Sequence, residues 1–82
     1  MGEEQERLEA RLHQALVTDA RVGEPELAVA VTGSRVVVDG TVPTEERRRA
    51  VSEVLAEVAP GLEIDNRVTT TPHREPRGEE AL

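Results

Sequence analysis

Between residues 27 and 42 the heavier apolar side chains fall on every second position: Leu27, Val29 and Val31, then Val36, Val38 and Val42. Period two is the signature of a half-buried strand. Gly33-Ser34 separates the two runs and suits a two-residue hairpin loop whose first position takes a positive φ. That loop sets Val31 opposite Val36, Val29 opposite Val38 and Leu27 opposite Gly40, all on one face. A loop one residue longer would set heavy positions against light ones. Asp39-Gly40 is itself a hairpin dipeptide, yet only Thr41 and Val42 follow before Pro43, too few for a returning strand. The pattern therefore predicts strands over 27–32 and 35–42. Gly40 falls inside the second, where a missing side chain permits a bulge, a bend or close packing.

On either side the period lengthens. Leu8, Leu12, Ala15 and Leu16 recur at helical spacing behind Glu3, Glu4 and Glu6, which suit the positive end of a helix dipole. A first helix is expected over 4–19. Gly23 and Pro25 then punctuate a loop that Val22 anchors to the core. After Pro43, Thr44 is an N-cap with Glu45 and Glu46 in the first turn. Ala50, Val51, Val54, Leu55 and Val58 form one stripe of a second helix over 45–58, stopped by Pro60-Gly61. Alternation returns over 62–70 with Leu62, Ile64 and Val68 on one parity, shared by the polar Asn66. From residue 72 no periodicity remains, and 72–82 is expected to be a disordered tail. The economical architecture for a single domain over 1–71 is α+β, ordered α-β-β-α-β, with two helices on one face of a three-stranded mixed sheet. The third strand runs parallel to the second by a right-handed crossover. It lies either beside the second strand or beyond the first.

Composition narrows the chemistry. The 82 residues include no aromatic side chain, so the core is left to Val, Leu, Ala and the lone Ile64. All ten basic residues are Arg, as a GC-rich coding sequence would give, and the net charge is −7. An acidic chain without stacking platforms argues against nucleic acid. Without cysteine there is neither a disulfide nor a thiolate site. No apolar run approaches the roughly 20 residues of a transmembrane span, and no signal-peptide pattern opens the chain. The expectation is a cytoplasmic chain, open to association with a membrane surface.

No catalytic chemistry is legible. Ser34 and Ser52 occupy ordinary turn and helix positions, and His13 and His73 lie at opposite ends of the domain, so neither a nucleophile–base pair nor a metal site is expected. No cofactor is called for. Two surfaces remain. Arg47, Arg48 and Arg49 form the only dense basic cluster, able to grip lipid phosphates or an acidic partner, or simply to be a solvated helix face with Arg49 paired to Glu53. The sheet face away from the helices would carry Ala28, Ala30, Val37, Asp39 and Arg67, small apolar groups flanked by charge, a composition that suits a protein partner or a second copy of the chain. Gly33, Gly40, Thr44, Gly61 and Asn66 are read as structural, Asn66 as a satisfied core polar group.

The stretches "LEARLHQALVTDARV", "LAVAVTGSRVVVDGTVPTEERRRAV" and "VLAEVAPGLEIDNRV" together resemble the BON domain family, over roughly residues 8–68. "GTV" at 40–42, the polar cap with Glu-Arg and the Ala-bearing helix ending in Gly before "DN" carry the likeness. Gly40, Ala50, Gly61 and Asn66 fall on positions such domains usually keep. The resemblance implies a non-enzymatic module that meets phospholipid surfaces or envelope components. A cytosolic protein–protein adaptor or small homo-oligomer working through the open sheet face is the competing reading.

Overall fold

The computed structural model describes residues 2–71. Helix α1 spans Gly2–Thr18, strand β1 Ala28–Thr32, strand β2 Arg35–Val42, helix α2 Glu45–Val58 and strand β3 Glu63–Thr70. The α-β-β-α-β order and α+β class are those the periodicity predicts. α1 starts two residues before the expected position 4 and ends one before 19, while β1 and β3 each start one residue late. The proposed tail at 72–82 lies outside the described residues.

β2 is the central strand, antiparallel to β1 and parallel to β3, which places the third strand beside the second. The hairpin register is the one its loop length demands: Val29 faces Val38 and Val31 faces Val36. Gly33 takes φ +60° at the first loop position. Across the parallel pair Arg35 meets Glu63, Val36 meets Ile64 and Asp39 meets Arg67, so opposite charges and apolar groups both fall in register.

Asp39-Gly40 makes no reversal. Gly40 has φ +142°, and a Cβ there would stand 2.7 Å from Leu27 Cδ2 and 3.4 Å from Leu27 Cα. The close packing that glycine permits is thus the approach of Leu27. Leu12, Leu16, Val36, Val38, Val51 and Leu55 are fully buried between the helices and one sheet face, and Val22 tucks beneath them from the loop.

Side chains fasten both outer edges of the sheet to the helices. At the β3 edge, Asn66 Nδ2 donates to the Arg48 carbonyl at 2.9 Å and to Ser52 Oγ at 2.8 Å, while its Oδ1 accepts from the Val68 amide at 3.0 Å. At the β1 edge, the Val31 amide donates to Glu9 Oε2 at 2.7 Å and the Val31 carbonyl accepts from Gln5 Nε2. The half-buried Asn66 satisfies donors and acceptors that an edge would otherwise leave to water.

Candidate functional site

The three consecutive arginines do not act as one patch, because a helix turns about 100° per residue and fans them apart. Thr44 caps α2 by accepting from the Arg47 amide at 3.1 Å, which fixes the turn from which they radiate. Arg47 reaches back to the α1–β1 loop, donating from Nη1 to the Val22 carbonyl at 3.1 Å and to Glu24 Oε2 at 3.0 Å. Arg48 pairs with Glu45 at 2.8 Å across one turn. Among the described residues Arg49 makes no ion pair. The expected Arg49–Glu53 contact does not form within 4 Å, and Glu53 lies instead 3.9 Å from Arg21.

Arg21 is a functional candidate the sequence reading missed. From the loop it binds Asp19 at 2.9 Å and reaches over to α2, donating to Glu57 at 2.9 and 3.1 Å. With Arg47–Glu24 it forms a pair of oppositely directed ion pairs that strap the loop to α2. No sequence spacing reports contacts 36 residues apart. Between strap and helix runs an open cleft of about 660 Å³, with Arg21, Arg47 and Arg49 on its walls beside Glu46 and Glu53, and Ala50 in its lining. Arg21 and Arg47 are already matched by Asp19, Glu57 and Glu24, so the cleft has no positive excess, and Arg49 is the guanidinium in it that no described carboxylate pairs.

These pairs hold several carboxyls below their ordinary range. Hydrogen bonds from Arg21 lower Asp19 and Glu57, and the Arg48 side chain lowers Glu45. On the open sheet face the Arg67 side chain lowers Asp65, with Arg35 adding a weaker attraction. Arg21 itself is raised above the usual guanidinium range, chiefly by its hydrogen bonds to Asp19 and Glu57.

The open face is arranged in cross-strand rows. Ala30, Val37 and Asp65 form one, and Ala28, Asp39 and Arg67 the next. Ala28 and Ala30 are exposed, Val37 is half-buried, and no described element covers them. Asp65 sits between Arg67 at 3.0 Å and Arg35 at 3.9 Å, so charge gathers toward β3 and leaves the β1 side neutral.

Gly61 is exposed, has ordinary backbone angles and would accept a Cβ into open space. α2 ends through Ala59, whose amide donates to the Leu55 carbonyl, and through Pro60. Among the described residues no three His, Asp or Glu side chains converge as a metal site, and no helix is long and apolar enough to cross a membrane.

No curated protein matches the chain. The sequence model of one family, described as the BON domain, matches residues 4–72, and those residues hold α1 from its third residue, the whole of α2, all three strands, the arginine cleft and the open face: the chain belongs to the BON domain family.

Proposed function

We propose that the domain is a non-enzymatic binding module that meets anionic phospholipid headgroups through the cleft between the α1–β1 loop and α2. Domains of this family are regarded as phospholipid-binding modules. The observation that carries the reading is Arg49, which has no ion-pair partner among the described residues and stands in a cleft beside Arg21 and Arg47. A guanidinium presents several N–H donors in a planar fork that matches phosphate oxygens. The net charge of −7 opposes approach to an anionic surface, so contact rests on the guanidinium that no described carboxylate neutralises.

Co-sedimentation with vesicles of neutral phosphatidylcholine, and of the same lipid mixed with phosphatidylglycerol, tests the proposal. Binding is expected only to the mixed vesicles and disappears at high salt. Arg49→Glu weakens it by roughly ten- to thirtyfold, given about 1 kcal/mol per basic group near such a surface. Equal binding to neutral vesicles, or full binding by Arg49→Glu, overturns the site.

A second reading has its own support. Ala28, Ala30 and Val37 make an apolar strip on the sheet that no described element covers, which suits a protein–protein adaptor or a face-to-face homo-oligomer. If that strip is the working surface, Val37→Glu abolishes any complex seen by sedimentation while leaving vesicle binding unchanged.

A further inference from the structure

The two sheet edges are protected by different means. β3 carries Glu63, Asp65 and Arg67, charges that discourage a stray strand, whereas β1 reads Ala-Val-Ala-Val-Thr with no charge and no proline. In an antiparallel ladder successive residues turn their N–H and C=O groups alternately toward the partner strand and away from it. Val31 turns outward, since both its polar groups bind α1 side chains rather than β2. Val29, two residues earlier, turns the same way, and among the described residues neither its amide nor its carbonyl has a partner. The fastening depends on Gln5 and Glu9, on the weakly held first half of α1. Residues 2–7 are exposed, Leu8 and Glu9 are half-buried, and full burial of the helix comes only at Leu12 and Leu16.

We infer that β1 is a strand-pairing edge latched by Gln5 and Glu9, and that its partner when unlatched is β1 of a second copy of this chain. An antiparallel pair with its two-fold at Ala30 sets Val29 of one copy against Val31 of the other, twice. Each such pair exchanges both N–H···O bonds, so all four outward amides and carbonyls of the two strands are joined to backbone. At the axis the two Ala30 residues form the close, non-hydrogen-bonded pair, about 4.5 Å between Cα atoms, a spacing that small side chains fit. The strand brings no like charges together, although each chain carries −7. The result is a continuous six-stranded sheet, a surface separate from both the arginine cleft and the face-to-face stacking considered above.

Sedimentation of the full chain and of Gln5→Ala/Glu9→Ala tests this. The double variant is expected to form a discrete dimer at least about tenfold more tightly than the wild type, the scale of a few exchanged hydrogen bonds. Amide exchange at Val29 and Val31 slows as its concentration rises. Adding Val29→Pro, which deletes an outward donor without touching the β1–β2 ladder, returns it to monomer, while adding Val37→Glu leaves the dimer intact. Should the proline variant lose its circular dichroism signal, the concentration-dependent protection at Val29 and Val31 decides alone. A double variant that stays monomeric with both amides unprotected, or a dimer abolished by Val37→Glu, overturns the inference. Vesicle binding reports separately on the arginine cleft.

Discussion

Gly40 and Asn66 show how unequally single positions declare themselves. Gly40 was legible as a glycine inside a strand, because too few residues follow it to make a hairpin. What presses on it is Leu27, the residue that the hairpin loop length sets opposite, although its approach to 2.7 Å from a notional Cβ is seen only in the packed fold. Gly40→Ala combines a positive φ with overlap against a buried leucine and should cost roughly 2–4 kcal/mol. Gly33→Ala meets nothing within 4 Å and carries only backbone strain, so it should cost less. Urea denaturation with an unchanged m-value ranks the two. Asn66 was legible as a polar residue on an inward parity, but its partners were not, since Ser52 and the Arg48 carbonyl sit on another element. Asn66→Ala should lose about 1–3 kcal/mol. Asn66→Asp should fail to rescue it, because a carboxylate keeps the acceptor for Val68 but cannot donate to the Arg48 carbonyl.

The individual helices and strands follow closely from local pattern. Period two and period 3.6 separate cleanly in this chain, and Thr44 with two following glutamates marks the start of α2 at Glu45. Removing that cap by Thr44→Ala should cost about 1 kcal/mol and speed amide exchange in the first turn of α2. The arginine run illustrates the limit of such local reading. Its clustering in sequence is undone by helical rotation: Arg47 turns to Glu24 and Arg48 to Glu45, while Arg49 finds no carboxylate within 4 Å among the described residues. The ion pairs of the loop, α2 and the sheet share a pH signature. Asp19, Glu45 and Glu57, and Asp65 on the sheet, all have their folded pKa held below the ordinary values of 3.8 for Asp and 4.5 for Glu. The stability they contribute is therefore complete above those ordinary values and is lost as pH falls through them toward the folded pKa values. Thermal denaturation should show a plateau above pH 5 and a decline below about 4.5. Arg21→Ala should flatten that decline, because two of the four depressed carboxyls then lose their donor.

Among the described residues the uncommitted groups fall on different sides: a cleft with an arginine that has no ion pair, a sheet face that no described element covers, and a latched edge. The first two surfaces were nameable from the sequence, as a basic cluster and as the lighter parity of the strands. The cleft itself was not, for it exists only where residues 19–26 cross α2. Side-chain alternation and helical spacing follow from backbone geometry within a few residues, which is why the amino-acid order alone sufficed for the elements, the hairpin register and the side of each element that faces the core. Three things waited on the assembled fold: β3 lying beside β2, Arg21 reaching Glu57, and Gln5 and Glu9 closing the β1 edge. Each joins residues more than twenty positions apart, where the partner is chosen by how packed layers bring surfaces together and not by anything encoded in neighbouring positions.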